Sequence, residues 1–295
     1  MKFGSVDNPE AIDFALPDDH HDTEKVLKKG GQLREVFVGC AKWNRQDLKK
    51  FYPRGTKDEL EYYSTQFNSI ELNATFYNHF RTEQIEKWVD KTPENFKFFP
   101  KVHQMISHIK RLNNVEESIE RYVTNIRAFG SKLGMCFLQL HDNFKPVNME
   151  RLVTAVEVWP EDIPLAIELR NTEWFNDASV ANQVYALFER HNISNIVTDT
   201  AGRRDLLHMR LTTPDVFIRY VGANHESDFS RLDDWIVRLK IWKNQGMKNL
   251  YFFVHQNLEK ASPYLSHYFI EKLNEAIGTA LKLPTLPEEV STSIH

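Results

Sequence analysis

The segment 164–175 joins an apolar stretch to charged residues, and it holds the first candidates for chemistry. Residues 165–169 have the nearly continuous apolar character of a strand covered on both faces, yet they include Glu168 and are followed by Arg170. Because burying an unpaired carboxylate costs several kcal/mol, we expect Glu168 to meet a cation, a ligand or water. Parallel-sheet enzymes place their reacting groups at the carboxyl ends of strands, so this segment predicts such a site.

Charged residues of both signs recur at or just after other apolar segments of the chain. The carboxylates are Glu71, Glu168 and Asp199, and the cations are Lys101, Arg170 and Arg219. Neighbouring cations oppose a divalent ion and favour a small anionic ligand, a phosphate or a carboxylate, with a glutamate available as general acid or base. We therefore predict neither a metal nor a cofactor. The residues to which we assign catalytic roles are Glu71, Lys101, Glu168 and Asp199.

The same side chains allow other interpretations. They could form an internal salt-bridge network that only holds the fold together. Glu168, Asp199 and His255 could bind a divalent ion, as in a metal-dependent isomerase or phosphodiesterase. An interaction scaffold without catalysis is a further alternative.

Nucleic acid is an alternative partner that the sequence does not favour. Basic side chains surround the third apolar segment, namely Lys97, Lys101, His103, His108, Lys110 and Arg111. Aromatic side chains that could stack on bases are Trp43, Tyr77 and Trp174. The net charge of −4 nevertheless argues against a broad electrostatic footprint for nucleic acid or for an anionic membrane surface.

The composition is that of a folded protein with a sizeable core. The chain has 295 residues, of which 41% are hydrophobic and 12% aromatic. Residues 1–30 contain Asp, Pro and His where a secretory signal needs an apolar run, and no window approaches about 18 consecutive apolar residues. We therefore predict a cytoplasmic protein without membrane contact. Cys40 and Cys136 are too few for a disulfide framework and lack the spacing of a zinc site.

Eight short apolar segments alternate with amphipathic ones, and this alternation gives the fold prediction. The predicted strands are 36–39, 69–73, 96–100, 135–140, 165–169, 193–198, 216–221 and 250–254. The predicted helices are 58–67, 82–91, 115–133, 149–158, 177–188, 232–245 and 263–277. A doubly wound open sheet would show the same alternation, but no glycine-rich phosphate loop follows a strand.

Eight strand–helix units over roughly 250 residues are the pattern of a (β/α)8 barrel. We therefore predict an α/β protein with a single TIM-type barrel over 36–282, an N-terminal extension over 1–35 and a C-terminal tail over 283–295. The extension lacks helical periodicity, so its removal should leave a folded core. A barrel brings all strand ends to one face, which adds substrate-binding candidates: Trp43, Asn73, Tyr77, His108, Gln139, Arg170, Trp174, Arg219 and His255.

Several short motifs together resemble a known family. They are Gly-Cys-Ala-Lys-Trp at 39–43, Glu-Leu-Asn-Ala-Thr-Phe-Tyr at 71–77, Leu-Gln-Leu at 138–140, Glu-Leu-Arg at 168–170 and Ile-Arg-Tyr-Val-Gly at 218–222. In this order they resemble the YecE-like family, domain of unknown function 72, over 36–282. The resemblance implies a TIM-type barrel whose activity is not established.

The resemblance also implies which residues of this chain correspond to the motif positions of the family. The matching residues are Trp43, Glu71, Asn73, Tyr77, Lys101, His108, Gln139, Glu168, Arg170, Asp199 and Arg219. The chain departs from the family pattern at Cys40, where a threonine is common, so we interpret Cys40 as a packing residue rather than a nucleophile. His141 and His255 also depart from the pattern and add imidazoles near the predicted site.

Overall fold

Residues 5–286 are described by a computed structural model, in which parallel strands are covered by helices. The strands are β1 (Glu35–Cys40), β2 (Ser69–Leu72), β3 (Lys97–Pro100), β4 (Cys136–Gln139), β5 (Leu165–Glu168), β6 (Ser194–Asn195), β7 (Val197–Thr200), β8 (Asp215–Gly222) and β9 (Asn249–Gln256). The α-helices are α1 (Thr23–Leu27), α2 (Glu59–Gln66), α3 (Ala74–Tyr77), α4 (Thr82–Asp90), α5 (Glu116–Ile126), α6 (Met149–Glu157), α7 (Glu173–Asn176), α8 (Ala178–Arg190), α9 (Ser227–Gln245) and α10 (Ser262–Ile277).

The strands form two parallel sheets. One has six strands in the order β3-β2-β1-β9-β8-β7, and the other has three in the order β4-β5-β6. The chain is therefore α/β, but the prediction of a single closed (β/α)8 TIM-type barrel is wrong. No closed ring of paired strands is found in residues 5–286.

The ring is interrupted at two places. Between β3 and β4 the backbones meet only in isolated bridges, Phe98 with Leu133 and Lys101 with Phe137. The predicted strand 193–198 is in fact two strands separated by Ile196, of which β6 pairs with β5 and β7 pairs with β8. Apolar patterning reports which residues are covered and not whether neighbouring backbones pair, so it could not reveal these breaks.

An apolar cluster between the two sheets supports a polar layer at the strand ends. The cluster contains Phe37, Phe99, Met135, Phe137, Ala166, Ile196, Phe217, Tyr251 and Phe253. Side chains two positions apart on a strand face the same way, so each polar residue that follows a cluster member by two joins the same layer. These residues are Lys101 after Phe99, Gln139 after Phe137, Glu168 after Ala166, Thr198 after Ile196, Arg219 after Phe217 and His255 after Phe253.

The helices agree with the predictions in most places. Asp177 caps α8 by accepting hydrogen bonds from the amides of Ser179 and Val180, so this helix begins where the predicted segment 177–188 begins. The predicted helix 115–133 is shorter, because α5 ends at Ile126 and a 3-10 segment with positive φ at Gly130 follows. No helix within 5–286 is long and apolar enough to cross a membrane.

The two predicted terminal segments are only partly described, because 1–4 and 287–295 lie outside the described residues. The N-terminal extension is more ordered than its sequence pattern indicated, since it contains a 3-10 turn at Pro9–Ala11 and the helix α1. Its boundary with the rest of the chain stays a prediction.

Candidate functional site

Arg219 lies at the centre of the polar layer. It comes from β8 and is only 5% exposed. Its Nε and Nη2 donate to the two carboxylate oxygens of Glu71 over 2.9 and 2.8 Å, a bidentate pair. Its Nη1 donates to Oε2 of Glu168 over 2.6 Å. Arg219 therefore ties β2 and β8 of the larger sheet to β5 of the smaller one.

Glu168 has further partners on its own sheet. Nε of Arg170 donates to its Oε1 over 2.5 Å, and Nε2 of Gln139 donates to its Oε2 over 3.0 Å. The amide oxygen of Gln139 accepts in turn from Nζ of Lys101 over 2.8 Å. Gln139 thus links the lysine of β3 to the glutamate of β5 without a direct ion pair.

Glu71 is held on its other side by two further donors. Nδ2 of Asn73 donates to its Oε1 over 2.8 Å, and Nε2 of His255 lies 2.9 Å from its Oε2. His255 Nε2 also lies 3.4 Å from Nη2 of Arg219. Since a carboxylate oxygen can only accept, the contact with Glu71 requires a proton on Nε2 of His255, and the approach of Nη2 of Arg219, which is also a donor, is then not a hydrogen bond.

The charges in this layer are not balanced. Burial opposes ionisation of Glu71, but Arg219 and His255 hold its pKa well below the usual value. Burial likewise opposes ionisation of Glu168, whose pKa Arg170 and Arg219 hold below the usual value. Two ionised carboxylates therefore face two guanidinium groups and Lys101, so the layer carries a net positive charge whenever Lys101 is protonated.

Lys101 is the least neutralised cation of the layer. Its side chain is 8% exposed, and Nζ lies 4.3 Å above the centroid of the Phe76 ring. Burial and the positive charge of Arg219 lower the pKa of Lys101 to about 7. Next to it, burial and the charge of Lys101 lower the pKa of His108 to about 4, and the His108 ring stands edge-on to Phe76 and His141.

A cavity of about 210 Å³ opens beside Glu71. Trp43, Asn73 and Tyr77 of the predicted set line it, together with the cation Lys42. Tyr77 is 62% exposed, whereas Trp43 is partly buried edge-on to Trp88. The cavity therefore combines aromatic walls with one carboxylate and one ammonium group.

Asp199 does not join this layer. It faces the helices and is fully buried, where it accepts from Nη2 of Arg231 over 2.7 Å and from the indole nitrogen of Trp235 over 2.8 Å. Arg204 is a third donor to the same carboxylate. The structure thus places Asp199 in a second charged network between β7 and α9.

Other candidate residues are also separated from the positions that the sequence analysis considered for them. Trp174 is buried in α7, where it donates to the carbonyl of Phe144 over 2.7 Å and stacks on that ring. Within 5–286, the residues close enough to share a metal ion are His20, His21 and Asp22, and not Glu168, Asp199 and His255, the set weighed as an alternative to the prediction of no metal.

The basic residues weighed for nucleic acid do not form one surface. Lys97 and Lys101 lie at the start of β3 and just beyond its end, and Lys101 is buried. Lys110 donates instead to the carbonyl of Asn114 and the hydroxyl of Ser118. Nucleic-acid binding stays an untested alternative.

Sequence reasoning missed several partners. Phe137 could have been found, because it lies two residues before Gln139 on β4 and so faces the same way. Arg231 could also have been predicted as a buried partner, because it lies four residues before Trp235 on the apolar face of a helix. Phe76 could not have been predicted from periodicity, because α3 has only a single turn.

An α/β fold with a buried charged layer at its strand ends is the class that the geometry defines. The family described as "Protein of unknown function DUF72" matches residues 37–290, and the chain belongs to that family. The resemblance identified from the motifs is therefore confirmed.

Named relatives agree with this assignment. The chain is 22% identical to the UPF0759 protein YecE of Escherichia coli (strain K12) over 275 residues, which is 87% of this chain and 99% of that protein. It is 29% identical to the UPF0759 protein YunF of Bacillus subtilis (strain 168) over 153 residues, 48% of this chain and 52% of that protein.

Two crystal structures of DUF72 family proteins share the fold. The protein from Thermotoga maritima MSB8 superposes with a TM-score of 0.67 at 24% identity, covering 82% of this chain and 100% of its own. The protein from Enterococcus faecalis V583 gives a TM-score of 0.66 at 19% identity, covering 86% of this chain and 100% of its own. At these identities the likeness concerns the fold and not the activity.

Proposed function

We propose that this protein is an enzyme that binds a small anionic substrate at the carboxyl ends of its strands and acts on it by general acid–base chemistry. The observation that carries the proposal is that three cationic side chains, those of Lys101, Arg170 and Arg219, meet two glutamates in a buried layer, and that one of these glutamates, Glu71, lines a cavity. A buried layer that contains more cationic side chains than carboxylates favours an incoming phosphate or carboxylate.

The groups of the layer suit different roles. Glu71 and Glu168 are held ionised, so they orient the cations and can accept hydrogen bonds from substrate hydroxyl groups. Lys101 has a pKa of about 7, and a group that titrates near neutrality transfers protons in either direction. These roles fit a hydrolase, a lyase or an isomerase.

Arg170 is the cation best placed to meet a substrate anion. It is 19% exposed, whereas Arg219 is closed in by two glutamates. The guanidinium group stays charged at any pH of interest and forms paired hydrogen bonds with planar or tetrahedral anions.

The proposal predicts that Arg170→Met lowers the affinity for inorganic phosphate by about tenfold, which corresponds to about 1.4 kcal/mol. Glu168 keeps Arg219 and Gln139 in this variant, so the fold should remain intact. Isothermal titration calorimetry at constant ionic strength measures the affinity.

Arg127→Met is the matched control, because Arg127 pairs with Asp162 on the surface far from the layer. Its phosphate affinity should equal that of the wild type. Undetectable phosphate binding by the wild type would contradict the anion pocket and favour a purely structural salt-bridge network. If Arg170→Met changed neither stability nor affinity, Arg170 would not belong to the site.

A further inference from the structure

We infer that Lys101 is a nucleophilic lysine that forms an imine with the carbonyl carbon of a small anionic aldehyde or ketone. The inference rests on the proposed function, because it names the substrate class and the reactive group of the same site. It is argued from the partners of Nζ, its surroundings and a second buried lysine in the same chain.

The first observation is the pairing of the buried ammonium group. A buried lysine normally lies against a carboxylate, but Arg219 occupies both glutamates of the layer with three hydrogen bonds. Nζ of Lys101 donates instead to the neutral amide oxygen of Gln139. Among the described residues, no carboxylate oxygen lies within 4.0 Å of this nitrogen.

The second observation is what surrounds the nitrogen. The centroids of the Phe76 and Phe137 rings lie 4.3 and 5.9 Å from it. The charged groups that face it are Arg219 from β8, Glu168 from β5, Arg170 two residues after β5 and Glu71 from β2, and the imidazole of His108 lies nearby. Burial and the arginines outweigh the glutamates, so the uncharged amine, which is the nucleophile, is well populated at neutral pH.

A second buried lysine, Lys132, has the hydrogen-bond acceptors expected around a lysine with a purely structural role. Lys132 is 5% exposed, and its Nζ donates to the carbonyls of Val89 and Thr92 over 2.7 Å each and to the Thr92 hydroxyl over 3.3 Å. Three oxygen acceptors match the three protons of an ammonium group. Among residues 5–286, Lys101 has a single such acceptor, so its charged form is poorly solvated.

The position of the arginines sets the substrate class. Arg170 and Arg219 carry permanent charges within the layer that contains Lys101. A carboxylate or phosphate on the substrate would pair with the more exposed Arg170. The adjoining carbonyl group would then lie beside the amine.

The chemistry requires neither an oxidant nor a reductant. The nitrogen lone pair of Lys101 attacks the carbonyl carbon, a C–N bond forms, and the carbonyl oxygen takes a proton from nitrogen to give a carbinolamine. The C–O bond then breaks, and the hydroxyl group takes one proton from solvent and leaves as water. The product is a protonated imine, which can accept electrons from a neighbouring C–C or C–H bond.

The test uses the full chain with pyruvate or dihydroxyacetone phosphate in the presence of sodium cyanoborohydride, which reduces an imine to a stable amine. Peptide mass spectrometry then measures the modified fraction of every lysine. We expect Lys101 to be labelled about tenfold or more above Lys132 and Lys97, because burial and the charge of Arg219 lower the pKa of Lys101 to about 7. Inorganic phosphate should suppress this labelling.

Lys101→Met and Lys97→Met form a matched pair, since both remove a lysine at one end of β3. The first should abolish the strongly labelled peptide, and the second should leave it unchanged. If Lys101→Met did not fold, the comparison among lysines of the wild type would still decide the matter.

The outcomes separate the two proposals. Labelling of Lys101 that does not exceed that of Lys132 with both probes would overturn the imine, even where calorimetry shows phosphate binding and the proposed function stands. Labelling by acetone as strong as by pyruvate would overturn the anionic substrate class. Failure to bind phosphate would instead count against the proposed function itself.

Discussion

Arg219 is the residue on which the polar layer depends, because it neutralises carboxylates from both sheets at once. Taking three charged groups out of water is costly, and their mutual attraction offsets most of that cost only while all partners remain. Removal of the shared cation is therefore more harmful than removal of a single peripheral partner. Two predictions concern single residues of this layer.

Arg219→Met should destabilise the protein by about 3 to 5 kcal/mol at neutral pH, since Glu71 loses its guanidinium partner and Glu168 loses one of two. Urea unfolding measures the change. The loss should shrink near pH 4, where the freed carboxyl groups take up protons. A variant as stable as the wild type at pH 7 would show that the pair contributes nothing to folding.

Because of Lys101, the free energy of unfolding should depend on pH in the alkaline range. Its pKa is about 7 in the folded chain, against an ordinary value of 10.5. Between these values the unfolded chain binds the proton more strongly, so raising the pH favours the folded state. The free energy of unfolding of the wild type, relative to that of Lys101→Met, should increase from pH 7 to pH 10. A difference that stays constant over this range would place the pKa of Lys101 near its ordinary value.

At the scale of elements, α9 is fixed to β7 by a second network that has no contact with the cavity. Asp199 on β7 accepts from Arg231 and Trp235, which lie one helical turn apart on α9. Arg231 also donates to Asp228 over 3.1 Å, near the start of the helix. This network attaches α9 to β7. Burying its charged groups costs desolvation free energy that an apolar contact at the same place would not cost.

Asp199→Asn should lower the free energy of unfolding by about 3 to 5 kcal/mol, because Arg231 and Arg204 lose a buried carboxylate. Phosphate affinity measured by calorimetry should stay at the wild-type value. Val153→Ala on α6 serves as a control for general loss of stability. If Asp199→Asn kept its stability and lost phosphate binding, a catalytic role for Asp199 would be favoured.

At the scale of the whole molecule, the N-terminal extension touches this second network. The Phe14 ring lies 4.5 Å from the guanidinium carbon of Arg231, and Arg204 donates to the Phe14 carbonyl over 3.0 Å. Asp19 pairs with Arg238 and accepts from the indole of Trp242 over 2.9 Å. The extension thus covers α9 from outside.

Deletion of residues 1–33 should leave a folded core with a single cooperative transition, because the strands and the polar layer lie outside this segment. The thermal midpoint should nevertheless fall, since Arg238 and Trp242 lose their shared partner Asp19. Calorimetry and circular dichroism measure both effects. Loss of cooperative unfolding would mean that the extension belongs to the core.

The local sequence determined much of this protein. Alternation located the strand segments and most helices, and the apolar run around Glu168 correctly implied a cation, which is found as Arg170 and Arg219. The motifs also sufficed for the family. These features depend on residues close together in the chain, which is what periodicity and spacing report.

Only the tertiary structure decided how the strands pair and which way their ends face. The break at Ile196 divides one predicted strand into β6 and β7, and Asp199 then faces the helices rather than the polar layer. Since side chains alternate along a strand, a shift of one residue reverses the face, and sequence patterning cannot fix that phase. Contacts between residues far apart in the chain likewise determine that Arg219 pairs with both Glu71 and Glu168. Nζ of Lys101 therefore donates to the amide oxygen of Gln139 and not to a carboxylate.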